Sequence, residues 1–276
     1  MKDTGERHII HHHFTNKSEF YLHLMHIATY EYARKLVKDK KVLDYGCGSG
    51  YGSHMLSETA ASVTGVDISK EAVDFADREY KSGNLHFKTI SELENEKFDI
   101  ITSFQVIEHV PDDKEYAAAL QKLLNPGGLL LISTPDKKHR LFNHIQQPWN
   151  IFHLKEYTPE SLEKLLKKYF KQVEILKIGS DTDLIHEEIR RTRKQRIAVL
   201  PSTLIIYPRF LKVFLLNLQK KVFDILKRIR NKKQSQSPQS SSTDLSGKYS
   251  HEDIVFSKEL PYSTDLLAIC KNEDPI

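Results

Sequence analysis

Two aspartates stand at the ends of short apolar runs, where a side chain is well placed to meet a ligand. Asp44 ends the run "KVLD" and Asp67 ends the run "SVTGVD". Glycines follow the first aspartate at every second position: Gly46, Gly48, Gly50 and Gly52. In an open parallel sheet, ligands bind at the carboxyl ends of strands, and glycine lets the backbone approach a ligand closely. The pattern predicts a ligand site built from two strand ends.

The glycine spacing disfavours a phosphate-binding loop. A dinucleotide fingerprint needs G-x-G-x-x-G, but the last position is Tyr51 counted from Gly46 and Ser53 counted from Gly48. A P-loop needs Gly-Lys followed by Ser or Thr, which this stretch lacks. The ligand that fits is a nucleoside that carries an amino acid instead of phosphates.

Each part of such a ligand has an expected partner. Asp44 faces its ammonium, directly or through water, and the backbone N–H groups that open the next helix face its carboxylate. Asp67 accepts hydrogen bonds from both ribose hydroxyls, and Ile68 covers the adenine. The cofactor-binding residues predicted from these two strand ends are Asp44, Gly46, Gly48, Gly50, Asp67 and Ile68.

Short apolar runs alternate with stretches of helical periodicity through about residue 180, after a first helix predicted over 18–38. This alternation predicts a parallel sheet covered by helices on both faces. The 276 residues are 39% hydrophobic and 28% charged, which is typical of a soluble globular domain. Only two cysteines occur, both in runs that read as buried, which favours a reducing, cytoplasmic compartment.

Four stretches resemble, in order and spacing, the motifs of class I S-adenosylmethionine-dependent methyltransferases: "VLDYGCGSGYG", "VTGVDIS", "FDIITSFQVIEHVPD" and "LLNPGGLLLISTP". Within that family the chain is similar to bacterial glycan, small-molecule and ubiquinone-type O-methyltransferases. The resemblance implies an α/β, Rossmann-like sheet of seven strands with the last one antiparallel, and S-adenosylmethionine as cofactor. It also places Ser91 near the adenine and Phe104 near the methionine part.

The first helix is similar to a His-x-x-Arg-Tyr element of envelope-associated family members. His26 and Tyr30 match that element, while Thr29 stands in place of the arginine. The resemblance implies that His26 contacts the cofactor. The alternative is that His26 is simply a histidine packed on its helix.

The implied reaction needs a base if the acceptor is a hydroxyl, because a neutral thioether leaves and the acceptor proton must be removed. Glu108 and His109 follow the fourth predicted strand. His153 lies after the fifth, in a region that often lines the acceptor pocket of similar enzymes. We predict these three as catalytic residues, with one histidine as the base. The alternative is that Glu108 and His109 only hold their loop.

A metal variant of this site is known among relatives that carry Glu-x-x-Glu-His and a distant histidine. This chain has Gln105-x-x-Glu108-His109 instead. Since a neutral amide is a poorer ligand for a hard cation than a carboxylate, we predict no metal.

Charge and composition divide the chain unequally. Residues 181–234 hold 14 Lys or Arg and five acidic residues, a net charge of +9. The predicted divisions are an N-terminal helical cap (1–40), the cofactor-binding core (41–180), a basic helical insertion (181–233), a disordered Ser/Gln-rich loop (234–250) and the last core strand (251–276).

The basic insertion contains an apolar stripe at helical spacing: Leu211, Leu215, Leu218, Val222, Ile225 and Ile229. One hypothesis is that residues 203–233 lie on an anionic membrane, at the inner face of the cell membrane, and deliver a lipid-linked acceptor. A second is a packed lid or dimer element. Nucleic-acid binding is disfavoured because no RNA-binding motif accompanies the charge.

The function predicted from these observations is methyl transfer to an oxygen of a sugar, envelope glycan or lipid-linked small molecule. The alternatives are methylation of a metabolite nitrogen or of RNA ribose, and a non-catalytic S-adenosylmethionine-binding module.

Overall fold

The computed structural model describes residues 14, 17–93, 96–142, 144–233 and 247–273. Its helices are α1 (Lys17–Arg34), α2 (Tyr51–Ser57), α3 (Lys70–Glu79), α4 (Asp113–Leu123), α5 (Lys137–Arg140), α6 (Pro159–Leu166), α7 (Asp183–Val199) and α8 (Arg209–Lys233). Its strands are β1 (Lys41–Tyr45), β2 (Ser62–Asp67), β3 (Leu85–Thr89), β4 (Phe98–Phe104), β5 (Leu124–Pro135), β6 (Gln172–Ser180), β7 (Ile254–Ser257) and β8 (Asp265–Lys271). The predicted loop at 234–250 lies, up to residue 246, outside the described residues.

The strands form one mixed sheet in the order β3-β2-β1-β4-β5-β8-β6-β7. The first five strands are parallel, and β8 runs antiparallel to both of its neighbours. The predicted Rossmann-like α/β class and the antiparallel last strand are confirmed. The predicted number of seven strands is wrong by one in the described residues, because the short strand β7 pairs with the edge of β6.

Alternate side chains of β1 enter two separate cores, which shows that helices cover both faces of the sheet. Val42 belongs to a cluster with side chains of α1, α2 and α7. Leu43 belongs to a second cluster with side chains of α4 and α6. Both residues are fully buried. The carboxyl ends of the central strands are therefore held in place from both sides.

A capping hydrogen bond begins α3 immediately after β2. The Ser69 side chain accepts a hydrogen bond from the Ala72 N–H at 3.3 Å, which satisfies one of the N–H groups left open at a helix start. Asp67 and Ile68 consequently lie in the tight connection between strand and helix, at the edge of the sheet.

The basic insertion lies between β6 and β7 and consists mainly of α7 and α8. Helix α7 packs into the first core through Leu184, Ile185 and Ile189. Helix α8 packs against α7 along part of its length and exposes several apolar side chains: Phe214 is 62% exposed and Ile225 is 55% exposed. Of the predicted stripe, Leu218, Val222 and Ile225 are about half exposed and Leu211 and Leu215 are partly buried, so the packed-lid and membrane hypotheses both stay predictions. No helix among the described residues has the length and apolar character needed to cross a membrane.

Candidate cofactor and catalytic site

A cleft of about 400 Å³ opens at the carboxyl ends of β1, β2 and β4. Its wall brings together most of the predicted cofactor residues: His26, Gly46, Gly48, Asp67, Ile68 and Phe104. These residues come from α1 and from three strand ends, as the parallel topology requires. The cleft is therefore the candidate cofactor site.

Two glycines shape the floor of the cleft. Gly46 and Gly48 have φ angles of 85° and 56°, in the left-handed region that favours glycine. A Cβ atom at Gly46 would lie 2.5 Å from a methyl group of Val106. Gly50 lies outside the wall, and a Cβ there would meet the Ala76 side chain at 2.5 Å. Gly50 therefore serves the packing of α2 against α3 rather than lining the cleft.

The Asp67 carboxylate is oriented at the edge of the cleft by two backbone groups. Its oxygens accept hydrogen bonds from the Ser69 N–H at 2.8 Å and the Gly48 N–H at 3.1 Å. A carboxylate oxygen accepts more than one hydrogen bond, so this anchoring leaves capacity for a diol. Ile68, next to it, is 85% exposed and forms part of the same wall. A carboxylate beside an exposed apolar side chain suits a ribose joined to a flat base.

Asp44 does not face the cleft as a direct partner for an ammonium would, because it lies below the cleft and is almost completely buried. Its carboxylate accepts hydrogen bonds from Ser53 at 2.6 Å, from Thr102 at 2.8 Å and from the Tyr30 hydroxyl at 3.3 Å. Burial raises the pKa of Asp44 to about 6. Tyr30, which bonds to Asp44, lines the cleft, whereas Asp44 itself does not.

The remaining predicted cofactor residues divide between the wall and its surroundings. His26 lines the cleft, and burial lowers the pKa of its imidazole to about 4, which keeps it neutral. Phe104 lines the cleft with its ring edge-on to Tyr30 at a centroid distance of 4.9 Å. Ser91 lies outside the wall and pairs with the Thr89 hydroxyl at 2.9 Å, and its neighbour Ile90 forms the wall there.

Two histidines lie against each other at one end of the cleft. The rings of His109 and His153 are 4.8 Å apart and nearly perpendicular. His109 lines the cleft, whereas His153 is buried behind it. The Nδ1 atom of His109 lies 3.3 Å from the carbonyl oxygen of Phe152. Since a carbonyl only accepts, Nδ1 carries the proton in the neutral ring and Nε2 is its basic nitrogen.

His153 has an acidic partner that fixes its ring. Its Nδ1 lies 2.8 Å from a Glu156 oxygen, and Arg140 lies 3.4 Å from the other side of that carboxylate. Burial alone would raise the pKa of Glu156, but the Arg140 charge and the His153 hydrogen bond outweigh it and the pKa lies below its usual value. An ionised Glu156 therefore accepts the Nδ1 proton, which makes Nε2 of His153 the basic nitrogen.

Glu108 is fully buried beside the two histidines and does not line the cleft. One oxygen accepts a hydrogen bond from Thr134 at 2.9 Å. The other has no hydrogen-bond partner among the described residues and lies 4.0 Å from Nε2 of His109. Burial raises the pKa of Glu108 to about 7. Glu108 therefore lies beneath the cleft wall, next to His109, rather than in the wall itself.

Glu108, His109 and His153 each offer a ligand atom within 4.8 Å of the others, a spacing that suits either proton transfer or a metal ion. The side chain of Gln105 lines the same cleft, and its amide nitrogen donates to Asp265 at 3.0 Å. The cluster offers three ligand atoms and lacks the first carboxylate of the metal-binding pattern. The absence of a metal therefore stays a prediction.

Replacing Glu108 by Gln should change how stability depends on pH. The pKa of Glu108 in the fold, about 7, lies above the ordinary glutamate value of 4.5. Its contribution to stability is therefore fully present below pH 4.5 and is lost as the pH rises through 7. Since Gln does not titrate, the variant should gain about 2 kcal/mol relative to the wild type between about pH 5 and about pH 8. Urea denaturation measures it, with exposed Glu115→Gln as control, and a pH-independent difference would contradict the raised pKa.

The sequence reasoning missed four contributors to this end of the cleft: Tyr45, Phe152, Glu156 and Arg140. Glu156 follows His153 by three residues in "HLKE", and that spacing in a polar loop was a usable signal. Arg140 lies in another element, and no local pattern connects it to the histidine.

Comparisons with known proteins agree on one family. The methyltransferase domain family matches residues 20–169. A probable S-adenosylmethionine-dependent methyltransferase of Mycolicibacterium smegmatis is 29% identical over 151 residues, 54% of this chain and 58% of that protein. A ubiquinone biosynthesis O-methyltransferase of Coxiella burnetii is 34% identical over 129 residues, 44% of this chain and 55% of that protein. The chain thus spans a little over half the length of these curated relatives.

Solved structures share the fold at low identity. A possible histamine N-methyltransferase of Thermotoga maritima has a TM-score of 0.53 at 12% identity, with 94% of this chain and 97% of that chain covered. The YcgJ protein of Bacillus subtilis has a TM-score of 0.51 at 14% identity, with 91% of this chain and 100% of that chain covered. At these identities the likeness concerns the fold alone.

The cleft fits S-adenosylmethionine on its own geometry. The left-handed backbone at Gly46 and Gly48 keeps side chains out of the floor, and the anchored Asp67 carboxylate suits the ribose hydroxyls. The family matches more than half of the chain, and the fold agrees with it. This protein therefore belongs to the methyltransferase domain family and has the fold of its solved relatives.

Proposed function

We propose that this chain methylates a hydroxyl oxygen of a small acceptor, either a sugar, an envelope glycan or a lipid-linked molecule. The observation that carries the proposal is the pair of histidines at the end of the cleft, one of them backed by Glu156. A nitrogen acceptor that is already a nucleophile at neutral pH needs no such base, whereas a hydroxyl does.

S-adenosylmethionine supplies an electrophilic methyl group and leaves as a neutral thioether. Asp67, Ile68 and the turn at Gly46 hold the nucleoside end, and Tyr30 faces the amino-acid end. His109 takes the acceptor proton on Nε2, because its Nδ1 is committed to the Phe152 carbonyl. Glu156, held ionised by Arg140, fixes the orientation of His153, whose ring lies edge-on against His109.

The alternative for the same cluster is a divalent ion held by Glu108, His109 and His153, with the ion activating the hydroxyl. The close spacing of the three ligand atoms is the observation that supports this second candidate. Incubation with a chelator separates the two, since proton transfer between side chains survives chelation.

Replacing Asp67 by Ala should weaken S-adenosylmethionine binding, because both ribose hydroxyls lose a charged acceptor. The expected loss is about 2–3 kcal/mol, or about 30- to 150-fold in Kd. Calorimetric titration measures it, with Asp77→Ala on the exposed face of α3 as a matched control. An Asp67→Ala variant that binds as tightly as the control would remove Asp67 from the site.

We also propose that α8 docks on an anionic membrane surface. Exposed apolar side chains follow one another along it, among them Phe210 at 76% exposure. The residues 203–233 contain nine Lys or Arg and one acidic residue. An apolar face flanked by cations is the combination that binds the headgroup region of anionic bilayers.

A further inference from the structure

A second cavity of about 600 Å³ lies beside the cofactor cleft. It is formed by residues 149–152, the end of α7 and the middle of α8. Its wall is largely aromatic and aliphatic: Trp149, Ile151, Phe152, Val199, Leu216 and Phe223. Its volume and lining are those of a ligand pocket.

We propose that this cavity binds an unbranched apolar chain of the acceptor, whose hydroxyl-bearing end reaches His109. The inference rests on the proposed function, which it narrows to amphipathic acceptors. The two spaces share one wall residue, Phe152, which lines both the cofactor cleft and the second cavity. The carbonyl of the same residue lies 3.3 Å from Nδ1 of His109. A chain in the cavity therefore ends one side chain away from the proposed base.

Polar side chains make up the rest of the wall: Gln195, Asn217, Gln219, Lys220 and Asp224. Of these, Gln219 has both ends of its amide used within the protein. Its nitrogen donates to the Ala198 carbonyl, and its oxygen accepts from the Ser202 hydroxyl at 2.8 Å. An apolar occupant thus leaves these hydrogen bonds intact and removes aromatic surface from water.

The outer end of the cavity continues along α8 as an apolar surface. Phe223 lines the cavity and is also 53% exposed, and Leu226 lies on the next turn with a similar exposure. A chain longer than the cavity therefore meets apolar side chains where it emerges, rather than water. This continuity favours a long chain over a compact apolar group.

Trp149 is the single tryptophan of the chain and reports on the cavity directly. Bromine on an alkyl chain quenches tryptophan fluorescence at short range, so a dodecyl maltoside with a brominated chain, below its micellar concentration, is the probe. We expect saturable quenching by this probe and none by maltose with free bromide. Ala198→Phe places a ring in the cavity wall and should weaken the apparent affinity at least about tenfold, a loss equivalent to about 1.4 kcal/mol.

Ile197→Phe is the matched control, because Ile197 precedes Ala198 on α7, is 62% exposed and does not line the cavity. Quenching that saturates in the wild type and Ile197→Phe but weakens in Ala198→Phe supports the inference. Non-saturating quenching, or equal quenching in all three proteins, overturns it and assigns the probe to the outer face of α8.

The same samples separate this inference from the proposed function. Saturable chain binding without methyl transfer to any hydroxyl acceptor keeps the cavity assignment and overturns O-methylation. Turnover of a chain-free hydroxyl acceptor, with no chain binding at Trp149, keeps O-methylation and overturns the cavity assignment.

Discussion

Alanine at His109 is expected to lower kcat for a hydroxyl acceptor by about 10²–10⁴-fold, the usual contribution of a general base. The Kd for S-adenosylhomocysteine should change little, because the proposed base contacts the acceptor rather than the nucleoside. His153→Ala should lower kcat as well, since it removes the ring that stacks edge-on against His109. Single-turnover rates with a labelled methyl group measure both effects.

The pH profile distinguishes a base from a residue that only supports the loop. Burial and the neighbouring His153 lower the pKa of His109 to about 4. His109 is therefore neutral and able to accept a proton from about pH 5 upward, and the rate should fall only as the pH drops towards 4. Glu156→Gln should alter this profile, because an amide no longer enforces the Nδ1–H form of His153.

One control variant and two contrary outcomes make this test decisive. His186→Ala replaces an exposed histidine that packs on Tyr262, away from the cleft, and should keep the wild-type rate. If His109→Ala and His153→Ala both turn over the acceptor at the wild-type rate across the pH range, neither histidine is the base. Loss of wild-type activity in a chelator, restored by a divalent ion, would replace proton transfer by the metal alternative.

Anionic vesicles at low salt are expected to carry the protein to the top of a flotation gradient, while neutral vesicles leave it behind. Each cation near an anionic surface contributes about 1 kcal/mol, and salt screens this attraction over about 10 Å at 0.1 M. Association should therefore weaken strongly as salt is added. The apolar part of the contact, which includes Phe210 and Phe214, should make the remaining affinity insensitive to salt.

The charge reversal Lys220→Glu with Lys221→Glu should abolish most of the flotation. Lys35→Glu with Lys38→Glu is the matched control, because it makes the same change in net charge at an exposed turn after α1. Equal loss in the two variants would mean that only the net charge matters. No flotation of the wild type at low salt would end the membrane proposal for α8.

The positions of the strand ends could be read from the sequence, but the direction of each side chain could not. Asp44 and Tyr45 are neighbours in β1, and alternation along a strand sends them to opposite faces. Only the packing of α1 and α2 decides that Tyr45 meets the cleft while Asp44 lies beneath it. Ser91 shows the same limit in a loop, where a shift of one residue replaced it in the wall by Ile90.

Long-range electrostatic partners were beyond the sequence for a different reason. The link from Arg140 through Glu156 to His153 joins a short helix to a loop, and its energy depends on burial that no spacing encodes. The strand β7 was missed because four residues are too few to show alternation. The stripe on α8 was predicted, but an amphipathic pattern does not say what covers the apolar face.

The close approach of Tyr30 to Gly52 links two equilibria. A Cβ atom at position 52 would lie 1.9 Å from the Tyr30 ring, so the ring rests on bare backbone while its hydroxyl reaches Asp44. The attachment of α1 and the completion of the cleft wall thus depend on the same side chain. Suppose that a ligand binds only when the Tyr30 ring packs on Gly52. By linkage, that ligand then stabilises the attached state of α1 by the same free energy by which attached α1 strengthens ligand binding. A bound ligand should therefore lower the fraction of molecules in which α1 is detached from the rest of the protein.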